Sequence, residues 1–230
     1  MRFLTTILVL VASSSVLLPD KAESRETDRR LEDAAQVFSE IMATPDKGIP
    51  RDLIEKAQCV VIVPGLKRGA FIVGAKYGKG FLTCRKDGAW SAPAAIRVEG
   101  GSVGLQIGGS ETDAVLLVMN RRGENKLLSS RFTLGGQGEV AAGPVGRSTS
   151  AQTDAELTAE ILSWSRSRGV FAGISLQGAT LRPDEDDNEA LYGRRLSNRQ
   201  IVEGAVRPPR AAHELLSLLN RYSSPENAHR

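Results

Sequence analysis

The stretch AQCVVIVPGLKRGAFIVGAKYGKGFLTCRKDGAWSAP (57–93) decides the fold, because runs of β-branched and aromatic residues are cut there at short intervals by Gly and Pro. Cys59–Val63 is a continuous apolar run ending at Pro64, and Ala70–Val73 is another, the pattern of strands covered on both faces. Gly65, Lys67, Arg68 and Gly69 lie between these runs, and Gly78 and Gly80 flank Lys79. Glycine supplies the positive φ of short hairpin loops. The reading is therefore a meander of strands 59–63, 70–77 and 80–86, with its cations at the turn tips.

Working outward, the same stretch and its continuation resemble a known family. The segment FIVGAKYGKG (71–80), the Trp-Ser-x-Pro at Trp90–Pro93 and GGSVGLQIGGSETDAVLLVMN (100–120) are similar to the SYLF domain. GPVGR (143–147), SWSRSRGVFAGISLQGA (163–179) and NEALYG (188–193) continue the pattern in the same order. The resemblance covers roughly residues 30–222. It implies a single domain of lipid-binding type, whose eukaryotic relatives are associated with phosphoinositide membranes and actin regulators.

Length and composition fit one domain: 230 residues, 41% hydrophobic and 25% charged. At the amino end, Arg2 precedes FLTTILVLVASSSVLL (3–18), an apolar run short for a membrane span and followed by Pro19 and charges. That is the pattern of a signal peptide, read as residues 1–22, leaving residues 23–230 as the mature domain in a periplasmic or secreted location, peripheral on a membrane. Removing 1–22 takes away Arg2, Asp20 and Lys21, one net positive charge, and lowers the formal charge from +3 to +2. So mild a basicity, with no basic-aromatic reading motif, excludes nucleic acid as a partner.

Cys59 and Cys84 are the two cysteines, and in an exported chain an even count points to a disulfide. In a plain three-strand meander they would sit two strand spacings apart, about 9–10 Å, beyond the usual Cα reach of such a bond. The bond requires the two strands to be neighbours or the chain to bend; the alternative is two buried free thiols.

TDRRLEDAAQVFSEIMA (27–43) carries Leu31, Ala34, Ala35, Phe38, Ile41 and Met42 on one stripe, an amphipathic helix docked on a sheet rather than on a membrane, since its polar face mixes both charge signs. Pro50 opens a short helix at 51–57. AAIRV (94–98), 100–109 and 114–120 read as strands, ENKLLSS (124–130) as a helix, 157–181 as a strand pair, and 184–193, 197–204 and 209–223 as helices. In the first of these last three the acids Asp184–Asp187 form a solvated, dipole-favoured first turn. The fold class is α+β, a glycine-rich, largely antiparallel sheet with helices from both ends of the chain packed on it and no long crossovers.

Catalysis finds no support in the residues. His213 and His229 are the two histidines, both near the end of the chain, so a Ser-His or Cys-His pair inside the glycine-rich core is not available. GAFIVGAK (69–76) has the spacing of a phosphate loop without its Gly-Lys-Ser/Thr, and two cysteines without a neighbouring histidine give no recognisable zinc-site pattern. No cofactor is expected. What remains is cationic: Lys67, Arg68, Lys76 and Lys79, with Arg147 of GPVGR, form a candidate site for anionic phospholipid headgroups, the ligand class that the resemblance implies. The competing function is an envelope module that binds a protein or polymer partner.

Overall fold

The computed structural model describes residues 21–44, 48–70, 73–103, 108–136, 140–144, 159–167, 170–173, 176 and 178–224. The leader expected at 1–22 therefore lies almost wholly outside the described residues, as do Arg147 and the tail after Ser224.

The architecture is α+β. Helix α1 (Lys21–Ala43) buries Leu31, Ala34, Ala35, Phe38 and Ile41 along the stripe that the spacing predicts. Helix α2 (Arg51–Lys56) follows Pro50. The strands are β1 (Cys59–Ala70), β2 (Val73–Lys86), β3 (Ala89–Trp90), β4 (Ala94–Val103) and β5 (Gly108–Val118). After helix α3 (Arg121–Leu127) come β6 (Phe132–Thr133), β7 (Val140–Ala142), β8 (Ile161–Ser167), β9 (Val170–Gly173) and β10 (Thr180–Pro183). Helices α4 (Glu185–Tyr192), α5 (Asn198–Glu203) and α6 (His213–Ser223) close the described chain.

The strands form one sheet in the order β6-β10-β4-β2-β1-β5-β8-β7, with β3 added on β2 and β9 on β8. Its pairs are antiparallel except β7 with β8. Here the expected simple meander is corrected. The 59–63 and 70–77 strands belong to one long hairpin, β1 with β2, and the Gly78–Gly80 segment runs straight through β2 rather than turning. Crossovers also occur: β9 lies beside β8 at one end of the sheet and β10 beside β4 towards the other. Curling of the sheet lets the chain make them, because Phe132 and Leu181 from one end share an apolar cluster with Val140 and Ile161 from the other.

Alternation along the central strands sends side chains to two cores. Val60, Ile62, Phe81, Val115, Leu117 and Trp164 pack with α1, α2 and α6 on the outer face. Val61, Val63, Leu82, Ile96, Leu116 and Val118 fill the inner face with α3 and α5. Both faces of the 59–63 run are therefore covered, as a continuous apolar run requires.

Cys59 and Cys84 are directly opposed on neighbouring strands and joined by a disulfide. The Cys84 amide donates to Ser91 Oγ and its carbonyl accepts from the Ser91 amide. Cys84 thus spends its backbone groups on the β3 side, which leaves the cysteine pair in a non-hydrogen-bonded position, where cross-strand side chains approach most closely. The distance objection falls because no strand intervenes.

Candidate functional site

Beyond Ile62 the hairpin changes character. A bulge falls between Ile62 and Lys67. It is made at Gly65, whose φ of +59° puts it in the left-handed region and whose amide donates to Asp113 Oδ1 at 3.0 Å. From there the register runs Lys67 opposite Tyr77, Arg68 opposite Lys76, Gly69 opposite Ala75 and Ala70 opposite Gly74. Outer neighbours continue the same rungs: Glu111 and Glu99 flank the first, Ser110 and Gly100 the second.

Lys67, Arg68 and Lys79 are thus strand residues, not turn residues. The glycines serve another purpose than expected: a Cβ on Gly80 would stand 2.1 Å from the Ile62 carbonyl oxygen, so this glycine allows two backbones to approach. Directly opposed residues of an antiparallel pair share a face, and successive ones alternate. Lys67 and Tyr77 therefore occupy the face that α1 covers, while Arg68 and Lys76 hold positions on the inner face. Lys67 is exposed and Tyr77 is 49% exposed, the one exposed large hydrophobic side chain among the described residues.

Lys79 stands apart from the other cations. Its ammonium lies 3.0 Å from Asp184 Oδ2 and 3.0 Å from Asp187 Oδ1. Arg30 Nη1 of α1 reaches Asp187 Oδ2 at 2.6 Å, and Thr27 donates to Oδ1 of the same carboxylate. The expected solvated acidic turn is corrected here: Glu185 and Asp186 are exposed, but Asp184 and Asp187 are 1% and 2% exposed. Asp184 also caps α4, accepting from the Asp187 amide. Burial alone would lower the Lys79 pKa; hydrogen bonds to Asp187 and Asp184 outweigh it and hold the ammonium above its ordinary value. Two buried carboxylates and two cations thereby fasten α1, β2 and α4 together, and the charge of Lys79 is consumed inside the molecule. Sequence reasoning had no signal for this, because the partners lie more than a hundred residues apart.

A polar cleft of about 410 Å³ opens between α1 and the far end of the hairpin, lined by Arg29, Asp33, Lys67 and Glu111 among others. At its floor Arg166 pairs with Asp113 at 2.5 Å and with Glu40. Burial pushes the Asp113 carboxyl up, with the charges of Glu111 and Asp33 adding to the effect and the Gly65 amide opposing it. Opposite charges are paired in this cleft rather than poised for proton transfer. Among the described residues, one group of metal-binding residue types comes together, Cys59, Cys84 and Glu124. No described helix is long and apolar enough to cross a membrane.

Comparison with known proteins bears on this arrangement. The family model described as "Ysc84: Las17-binding protein actin regulator" matches residues 99–222. SH3 domain-containing YSC84-like protein 1 of Rattus norvegicus is 33% identical over 205 residues, covering 88% of this chain and 59% of the relative. LAS seventeen-binding protein 3 of Saccharomyces cerevisiae is 36% identical over 179 residues, covering 76% of this chain and 39% of the relative. SH3 domain-containing protein PJ696.02 of Schizosaccharomyces pombe is 36% identical over 176 residues, 75% of this chain and 41% of the relative. The matched region thus spans well under two thirds of these relatives' own length. None of these names denotes an enzyme, and the family-level role is binding. A sheet with these strands, the motifs at 71–120 and 143–193, and relatives covering most of the chain lead to one assignment: the chain belongs to the Ysc84 family, the SYLF domain proteins.

Proposed function

We propose that the chain is a non-enzymatic lipid-binding module that associates with anionic phospholipid headgroups, entering the headgroup layer with the glycine-rich end of its central hairpin. The observation that carries this reading is the pair of adjacent rungs, Lys67 opposite Tyr77 and Arg68 opposite Lys76. A sheet end that approaches a membrane edge-on presents both faces to phosphates at once, so cations on opposite faces act together. Tyr77 has the apolar ring and polar tip of residues that settle at a membrane surface. Small residues on the following rungs, Gly69, Ala70, Gly74 and Ala75, let the backbone come close to a headgroup. Each cation contributes on the order of 1 kcal/mol, screened by salt. Lys79 is left out of the surface because carboxylates already hold it.

The proposal includes the location: residues 1–22 direct export, and the membrane met is the one facing that compartment. The test is co-sedimentation of the full chain with neutral phosphatidylcholine vesicles and with vesicles containing phosphatidylglycerol, over a salt series. Binding to the anionic vesicles alone, weakened by salt and lost in K67E/R68E/K76E, is the expected result. Equal binding by that variant, or no binding at low salt, overturns the reading. It would then favour a module for a protein partner, the class to which the name of LAS seventeen-binding protein 3 points.

A further inference from the structure

The disulfide and helix α3 bring together three groups that the proposed membrane surface does not use. Cys59 and Cys84 lie at the base of the hairpin, facing the inner core, and Glu124 projects from α3. Both sulfurs and a Glu124 carboxylate oxygen lie within 4.8 Å of one another, and all three residues are buried. A carboxylate in such a place is costly unless something compensates it. Arg121, 3.9 Å away with its own side chain 80% exposed, is the cation paired with it among the described residues. Asn120 caps α3, accepting from the Gly123 amide at 2.8 Å, and so fixes the turn that carries Glu124.

We propose that, in the reduced chain, Cys59, Cys84 and Glu124 form a binding site for a thiophilic divalent cation, zinc by preference. Reduction is by a dithiol: its two sulfurs become a disulfide, while Cys59 and Cys84 take up its two electrons and two protons as thiols. Metal binding then releases both thiol protons to solvent, and Glu124 coordinates as the carboxylate. Zinc holds sulfur at about 2.3 Å and carboxylate oxygen at about 2.0–2.2 Å, so the edges of its tetrahedron are about 3.5–3.8 Å. The Glu124 oxygen already lies within 4.8 Å of both sulfurs, and the sulfurs, 2.04 Å apart in the disulfide, move apart to that spacing once their bond is broken. Two thiolates and a carboxylate around a divalent ion leave one negative charge, which Arg121 offsets, and the fourth position is left to water. The hairpin would thus be closed at its base by a covalent bond under oxidising conditions and by a metal under reducing ones.

The test uses the full chain, refolded with a non-chelating phosphine reductant and checked for native circular dichroism. It is titrated with zinc against a chromogenic chelator, and with cobalt as a spectroscopic probe. Expected are one equivalent of zinc bound by the reduced chain and none at this site in the oxidised chain. Cobalt should give the thiolate charge-transfer band, absent in C59S. E124Q should keep its fold and lose about tenfold or more in affinity. A folded reduced chain that takes up no cobalt, an E124Q variant that binds as tightly as wild type, or a reduced chain that stays unfolded whether or not zinc is present would each overturn the proposal.

Discussion

The two halves of one hairpin, β1 with β2, differ in burial. From Cys59 to Ile62, opposite Phe81 to Cys84, every side chain is buried, and packed elements cover both faces. From Lys67 to Ala70, opposite Gly74 to Tyr77, the rungs carry small residues, three cations and an exposed tyrosine. Hydrogen-bonded pairing is continuous across both, apart from the bulge at Gly65. What differs is burial: the first half packs its side chains into the two cores, and in the second Lys67 and Tyr77 are exposed. A strand can be long because one end is anchored by packing.

The widest gap between the halves should appear in the packed one. Trp164 is fully buried, with its indole N–H donating to the Pro144 carbonyl at 2.9 Å. Trp164→Ala should cost about 3–5 kcal/mol in urea unfolding, through the cavity and the orphaned carbonyl. A loss below about 1 kcal/mol would show that this core does not carry the fold.

Next in size is Lys79→Met, which strands Asp184 without its cation and leaves Arg30 alone with Asp187. The expected loss is about 3 kcal/mol, measured by the same unfolding. A variant as stable as wild type would move Lys79 back among the surface cations and blur the boundary between the halves.

A smaller effect is expected at alkaline pH. Burial pushes the Tyr192 phenol well above its ordinary 10.0, and Lys79 is held above 10.5. Both folded-state values are raised, so the stability they contribute is fully present below pH 10.0 and is lost as pH rises through and beyond the unfolded values. Unfolding free energies from urea titrations between pH 8 and 11.5 should hold steady and then fall, by at most about 1.4 kcal/mol per pH unit from Tyr192 above its ordinary value. Tyr192→Phe should flatten the fall; an unchanged slope in that variant would reassign it.

The smallest effect on stability belongs to the exposed half. Lys67→Glu, at an exposed position, should unfold within about 0.5 kcal/mol of wild type while weakening vesicle binding. A large destabilisation there would mean that the glycine-rich end is part of the core after all.

Much of the packed half was legible in the sequence. The stripe from Leu31 to Ile41, the apolar run at 59–63 and the Pro50 helix start are local patterns, and local patterns report burial directly. The exposed half was read less well, because glycine has two meanings. At Gly78 and Gly80 it marks the close approach of β1 to β2, yet the same letters describe a turn. The true tight turn is Asp87-Gly88, with φ of 50° and 86°, between β2 and β3, where Asp-Gly is the stronger hairpin signal. Of the candidate site, the cations Lys67, Arg68 and Lys76 share one end of the sheet, but Lys79 does not join them. Its partners Asp184 and Asp187 are invisible to any window of sequence, because the contact is made by topology. Arg147 lies outside the described residues.

The ties from α1 to Asp187 also set an order of events. Arg30 and its partner are 157 residues apart, so the helix made first cannot reach its final place until most of the chain has been made. At about 5–20 residues per second, synthesis would leave Arg30 without this carboxylate for about 8–30 s. During that interval α1 is held by its neighbours without this tie, so the Arg30–Asp187 pair reports that the chain has been made as far as α4.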